Sequence, residues 1–593
     1  MKKSIIYSSA IAAALCLTGC LDEFTPTNQA TADQIKGEDK SALSSAVSAY
    51  MTTYSSYSDG GTAGDAGFPA FGITRDAMTA DTPVSDPTYD YFTEFSYLSF
   101  LGNYAGPSLW WRRYYYLVQK CNIVLSVSEP DDRDEDKEYA GNALAYRAMA
   151  YFDLARMYEY RHTDVASLDQ QAQSMGIMGL TVPIVTEDTS DSDGRDNPRV
   201  PFYVMYRFIA EDLDNAERYL ADFHTVTSKV NASLGVVYGL KARFWLELGT
   251  RFQLYPGDLD TMLGHENDED IAYGKLGISS AAECFNNAAL YARRAISEGY
   301  TPLTESQWFD PKTGFNSPNA SWLWCVTLTL DNPAVNLEWQ SFVSYVSPEA
   351  TWGVCDRGYG ASRMIDASLF DKIPDADWRK TTWIDPADEG DEQAYNTKYA
   401  KGTSMGYSEW SKYGSYVGFK YHPGSGDRTT YTVGNAVSVP LMRIEEMYLI
   451  EAEAVARVSG VGAGKQLLES FLNTYRYHNN AYTCNAAGIE EFIDEIFTQK
   501  RIELWLEGLI VWDYRRLEKP VIRGYEGTNW YSEYRFNSYP NAVAPWMTLY
   551  IPDSEKNYNK GVILNPNPSN AVPLWTRVMN RRTIQSMPKA RQW

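Results

Sequence analysis

Helical periodicity recurs toward both ends of this chain and lapses in its middle. That confines the fold to packed helices carrying a long irregular segment. In residues 109–126, Trp110, Tyr114, Leu117, Cys121 and Val124 fall three or four apart and share one helix face. In residues 138–160 the stripe is Leu144, Ala148, Phe152 and Ala155, and the run of Ala140, Ala143, Ala145 and Ala150 lets a neighbouring helix approach closely. Residues 200–223 follow, with Pro201 expected in the first turn, then residues 232–249 and 280–299. Late in the chain, residues 441–458, 465–477 and 489–516 complete the set.

These helices come in pairs with Ala, Gly and Tyr at the expected contacts. That is the logic of tetratricopeptide-like stacking, in which each pair buries its face on the next. The repeats are degenerate and no strict period survives. Three stretches do not fit helices. Residues 59–105 hold Gly60, Gly61, Gly64, Gly67, Pro69, Pro83 and Pro87. Residues 300–440 hold short strand-like runs such as Trp322 to Leu328, and residues 519–593 are rich in Pro, Asn and Tyr. Long loops of this kind tend to carry function. At 593 residues the chain exceeds one ordinary domain.

The N-terminus sets the compartment. Lys2 and Lys3 precede an uncharged run that ends in Leu17-Thr18-Gly19-Cys20, the layout of a secretory signal. Its ending resembles a bacterial lipobox, in which Cys20 is acylated and becomes the first mature residue. Asp22 and Glu23 directly after it resemble a surface-export signal of Bacteroidetes lipoproteins. Two or three acyl chains, at roughly 0.8 kcal/mol per buried CH₂, hold a protein durably on a bilayer. The expected anatomy is a signal peptide (residues 1–19), a lipidated tether (20–39), an N-terminal helical region (40–299) with an irregular insertion (59–105), a loop-rich ligand-facing region (300–440), C-terminal helices (441–518) and an irregular tail (519–593). Cys121, Cys284, Cys325, Cys355 and Cys484 are far apart and read as buried, unpaired thiols. With 53 basic against 76 acidic residues the net charge is −23, which argues against nucleic acid as a partner.

A search for catalytic chemistry mostly fails. The five His (His162, His224, His265, His422 and His478) show no ligand-like spacing. Gly460 to Lys465 falls short of a phosphate loop by one residue and has Gln466 where Ser or Thr would hold Mg²⁺, so it reads as a turn between helices. Asp191-Ser192-Asp193-Gly194 echoes a calcium loop without its ligand set. No cofactor is expected, and adventitious or structural Ca²⁺ is left open. Glu445, Glu446, Glu451 and Glu453 near Arg443 and Arg457, and Glu503, Glu507 and Asp513 among Arg501, Arg515 and Arg516, read as helix-face ion pairs.

The same helices carry a family signature. Val439-Pro440-Leu441-Met442-Arg443, then Glu446, Tyr448 and Ala452-Glu453-Ala454, resembles a stretch of the SusD/RagB family of Bacteroidetes outer-membrane nutrient-uptake lipoproteins. Residues 500–516 look like that family's C-terminal helix through Arg501, Glu503, Leu504, Glu507, Gly508, Asp513 and Arg516. Gln499, Lys500 and Ile510 depart from its usual Glu, Arg and Arg, which bears on one internal ion pair. Trp111 with Tyr115 and Asn122, Ala145-Tyr146-Arg147-Ala148 through Tyr151 and Phe152, Val182-Pro183, Glu211-Asp212-Leu213, Ala242-Arg243 and Asp377-Trp378-Arg379 continue the similarity in family order. The resemblance implies a mostly α, SusD-like fold with tetratricopeptide-like helix pairs and a loop-rich subdomain with short strands. It also implies a surface lipoprotein that binds a glycan and caps a SusC-like TonB-dependent outer-membrane transporter, without catalysis. The alternatives are the same scaffold handling peptides or glycopeptides, and a surface glycoside hydrolase with paired carboxylates.

The family's regular motifs lie on helices and read as scaffold, so ligand contacts must be chosen by location. Trp and Tyr offer flat apolar faces with a polar tip, which suits the C–H faces and hydroxyl rims of sugars. The candidates are Asp81, Tyr89, Tyr91 and Phe92 in the first irregular stretch and Trp308, Trp339, Tyr345, Trp352, Arg357 and Tyr359 in the second. Trp352 and Tyr359 are favoured because Gly353, Gly358 and Gly360 suggest an exposed, turn-rich loop. Trp322 and Trp324 alternate on a strand-like run and are expected inside, as are Trp110 and Trp111.

Overall fold

A computed structural model of the chain describes residues 40–54, 65–84, 86–87, 90–92, 105–224, 228–356 and 361–568. Its main helices are α1 (Lys40–Tyr50), α2 (Phe68–Ala77), α3 (Ala105–Val127), α4 (Lys137–Tyr158), α5 (Phe202–Tyr219), α6 (Leu234–Leu254), α7 (Ala281–Ser297), α8 (Ile444–Ser459), α9 (Val461–Tyr475), α10 (Ile489–Glu503) and α11 (Ile510–Arg516). Each of α3 to α7 packs on the next, and α8 packs in turn on α7, α9 and α10. The helices from the two ends of the chain therefore form one stack. The fold is mostly helical with one small sheet.

Local chemistry sets the helix ends. Ser233 Oγ accepts from Val236 N to start α6, and Ser280 Oγ accepts from Glu283 N to start α7. Pro201 stands at the cap of α5, one step ahead of the expected first-turn position. Helix α2 corrects the reading of residues 59–105 as irregular. Gly67, at φ +79°, and Pro69 read as loop punctuation, yet they are the entry turn and first-turn proline of this helix.

Two further boundaries depart from expectation. Residues 489–516 are two helices, because Leu506 and Gly508 take positive φ between α10 and α11. A Cβ on Gly508 would lie 2.2 Å from Gly72 Cα. The Gly508 N–H donates to Asp76 Oδ2 at 2.8 Å, so the break docks onto α2. Helix α8 begins at Ile444, since the preceding residues form β2 (Ser438–Arg443), antiparallel to β1 (Trp322–Thr327). The turn expected over Gly460 to Lys465 is made by Gly460 alone, at φ +91°, and α9 starts directly after it.

The core is one large apolar cluster reaching from α1 to the segment after α11, with smaller satellites. Trp110, Trp111, Trp322 and Trp324 are inside it. Cys121, Cys284, Cys325, Cys355 and Cys484 are all buried and unpaired. Among the described residues, no helix is long and apolar enough to cross a membrane.

Candidate functional site

The carboxylates and guanidinium groups of the sequence motifs meet in one buried cluster. Arg379, Arg443, Arg476 and Lys420 face Asp377, Glu445, Glu503 and Glu507, all essentially without solvent contact. Glu503 is the hub, reached by Arg476 Nε at 2.7 Å, Arg379 Nη1 at 2.8 Å and Arg443 Nη1 at 3.1 Å. Burial alone would push its carboxyl up, but Arg476 and Arg443 outweigh it and hold Glu503 well below the usual carboxylate range. Lys420 behaves oppositely: burial brings its amine down to about 8, only partly countered by Glu507. Gln499 still engages the cluster, accepting from Arg379 Nη2 at 2.7 Å, and its amide also donates to Glu495 at 2.9 Å. The cluster is a buried, charge-balanced joint that ties β2 and α8 to α10 and residues 377–379.

The helix-face reading holds for some of these charges. Glu453 with Arg457 and Asp513 with Arg516 are local pairs. The others reach across the stack: Glu446 binds Arg243, Glu451 binds Arg293, and Glu453 also binds Arg516 at 2.5 Å.

Several chosen ligand residues also belong to the interior. Asp81 Oδ1 accepts from Arg501 Nε at 2.8 Å and from the Tyr514 hydroxyl at 3.0 Å, tying the segment after α2 to α10 and α11. Trp308 is fully buried. Its Nε1 donates to Thr382 Oγ1 at 3.1 Å, and its ring lies edge-on to Phe315 and beside Lys420, Arg443 and Arg476 as one wall of the ion cluster. Trp352 is only 9% exposed. Its ring fills the place where a Cβ on Gly434 would sit, 2.1 Å from Trp352 Cη2. The glycine that matters to Trp352 is therefore a distant one that seats the ring, while the local glycines do not expose it. Tyr345 and Phe92 are buried against each other, edge to face at 4.7 Å. Tyr89, Arg357, Tyr359 and Cys20 lie outside the described residues.

Two of the chosen residues come together at the surface. Tyr91 and Trp339 are 38% and 40% exposed, and their rings are 5.8 Å apart at 36°. The local sequence explains why they face outward. Asp90 and Phe92 both turn inward, Asp90 to a buried pair with Arg363 at 2.6 Å and Phe92 to Tyr345, so Tyr91 between them is left on the outside. Arg363 Nε donates to the Tyr345 carbonyl at 3.1 Å, so one guanidinium ties both sides of the floor together. Trp339 sits on the turn Glu338–Gln340, and its carbonyl accepts from Ser344 Oγ at 2.5 Å. Exposed Asn336 and Glu338 and half-buried Gln340 give the rings a polar rim. The result is a shallow aromatic patch on a rigid base. Tyr431, on a short helix packed against the Pro333–Asn336 turn, is another exposed ring, which the sequence reading did not select. Nothing distinguishes it in sequence from the other tyrosines.

Comparison with known proteins follows the same lines. Residues 371–579 match a sequence model of the SusD family, and residues 92–246 match a second one described as "Starch-binding associating with outer membrane". The chain belongs to the SusD-like family. Among solved structures, this SusD-like chain is similar to a SusD-like carbohydrate binding protein from Bacteroides vulgatus, at 19% identity over 91% of this chain and 99% of that one, with a TM-score of 0.62. A SusD superfamily protein from Bacteroides thetaiotaomicron matches at 17% identity over 91% and 100%, with a TM-score of 0.60. A laminarin binding SusD-like protein matches at 17% over 89% and 98%, with a TM-score of 0.57. No curated protein sequence matches the chain.

Among the described residues of the SusD-like chain, no group of three or more His, Cys, Asp or Glu side chains is placed to hold a metal ion. The Asp191–Gly194 segment is a single helical turn capped by Ser190. The Asp90 carboxyl next to Tyr91 is pushed up by burial but engaged by Arg363 beneath the surface.

Proposed function

We propose that this SusD-like chain is a non-catalytic, cell-surface lipoprotein, anchored through Cys20, that binds an oligo- or polysaccharide and passes it to a SusC-like TonB-dependent transporter in the outer membrane. The observation that carries the binding step is the exposed Tyr91–Trp339 pair on a floor fixed by Asp90 and Arg363. Two contiguous aromatic faces ringed by amide and carboxylate groups recognise a sugar's apolar face and hydroxyl rim without bond-breaking chemistry. The carbohydrate-binding and laminarin-binding neighbours and the outer-membrane family description support the same reading. A patch this shallow suits millimolar to micromolar affinity, about −4 to −8 kcal/mol, and release onward to a pore. Clustering on a membrane raises avidity.

The test is a glycan panel on the mature chain without Cys20, by affinity gel electrophoresis and calorimetry, with a reducing-sugar assay alongside. Retardation by one polysaccharide class, lost in Trp339→Ala and unaccompanied by new reducing ends, is the expected result. Release of reducing ends, or no binding to any glycan, overturns it.

A further inference from the structure

Beside the aromatic patch, between α1 and α3, runs a groove of about 600 Å³, within the size range of small-ligand sites. Tyr50, Tyr54 and Tyr116 line it together with Arg112, Arg113 and Lys120, and among the described residues no carboxylate does. On a chain of net charge −23 such a local excess of cations stands out. Arg113 is neutralised from behind by Asp65 at 2.6 Å. Among the described residues, Arg112 and Lys120 have no ion-pair or hydrogen-bond partner, which leaves their two positive charges for a ligand.

The groove adjoins the patch. The Tyr54 hydroxyl donates to the Pro333 carbonyl at 3.5 Å, and Asn332 Nδ2 donates to Thr52 Oγ1 at 2.7 Å. The turn Pro333–Asn336 that these bonds hold leads straight into the turn carrying Trp339. The wall of the groove and the base of the patch are thus tied to one continuous stretch of chain, residues 332–340.

We propose that the groove is an anionic subsite of the same cargo path, so that the ligand of this chain is an acidic polysaccharide whose uronate or sulfate groups pair with Arg112 and Lys120 while a neighbouring sugar stacks on Trp339. This rests on the glycan reading of the Tyr91–Trp339 pair. The site is concave and walled by tyrosine faces, which fits a sugar chain; a lipid headgroup surface calls for a raised cluster of basic side chains.

The experiment compares the parent chain with Arg112→Gln/Lys120→Gln and with Trp339→Ala on polygalacturonate, alginate, hyaluronan and chondroitin sulfate, on neutral laminarin and methyl-esterified pectin, and on phosphatidylglycerol vesicles. Arg112 is exposed and Lys120 half-buried, and neither has a partner among the described residues, so the double variant should melt with the parent. Expected is binding of at least one acidic polysaccharide that weakens as salt rises, falls about tenfold in the double variant, as two surface charge pairs would give, and falls also in Trp339→Ala. Acidic binding unchanged in the double variant overturns the proposal. Binding of neutral glycans alone, lost in Trp339→Ala, overturns it and leaves the aromatic reading standing, whereas no glycan binding at all removes both. Charge-dependent capture of the vesicles without any acidic polysaccharide assigns the groove to a membrane and overturns it as well.

Discussion

The buried ion cluster around Glu503 and the exposed pair Tyr91–Trp339 are built on opposite principles. The first joins charged residues from β2, α8, α10 and residues 377–379, all withdrawn from water and balanced one for one. The second leaves two large aromatic rings in water with no structural bond through the rings that requires them there. Charges are tolerated inside only when every one is paired, and removing one partner costs far more than the pair contributes. Aromatic faces in water gain by being covered. The motif-rich region is therefore a joint, and the motif-poor region is where a ligand can gain from binding.

The sharpest way to break this contrast is at the hub. Glu503→Gln keeps the shape but leaves Arg379, Arg443 and Arg476 short of a charge; a loss of about 4 kcal/mol is expected, read as a lowered denaturation midpoint. A midpoint equal to the parent's would mean that the cluster is not the joint described. Trp352→Ala comes next, at about 3 kcal/mol for an emptied aromatic site, with glycan binding by the folded variant retained; lost binding in a stable variant would move Trp352 to the ligand side. Trp339→Ala should do the reverse. It is expected to melt within about 0.5 kcal/mol of the parent while its affinity falls about tenfold, since aromatic contacts of this kind contribute about 1 kcal/mol or more.

Near neutral pH the parent should hold its stability, and the Glu503 charge shows itself only in acid. The folded carboxyl of Glu503 is depressed, so its contribution is complete above the ordinary glutamate value near about 4.3 and is lost as pH falls below it toward the folded value. Melts at descending pH should show the parent converging on Glu503→Gln below that value. A constant gap between the two would show that Glu503 does not keep its charge for the reason given.

Parts of this molecule were legible because their signal is local. The stripe Tyr114, Leu117, Cys121 and Val124 specified α3, and the i, i+4 spacing of Glu453 and Arg457 specified their pair. Glu446 reads in sequence as a helix-face pair, but its partner Arg243 lies on another helix and has no sequence mark. Among Trp308, Trp339 and Trp352 the flanking glycines favoured Trp352, yet Trp339 is the one that meets water. Their fates were settled by Thr382, Ser344 and Gly434, all remote from a reading of nearest neighbours except Ser344.

By itself the sequence determined the helices, the family and the local ion pairs, because helix periodicity and i, i+4 spacing depend on residues a few positions apart. Only the tertiary structure decided which aromatic rings meet water. Tyr91 and Trp339 are distant in the chain, and they come into contact through Arg363, which binds Asp90 on one side and the Tyr345 carbonyl on the other. Burial is a property of what packs above a residue, and for these rings that is set by contacts the chain makes only once it has folded.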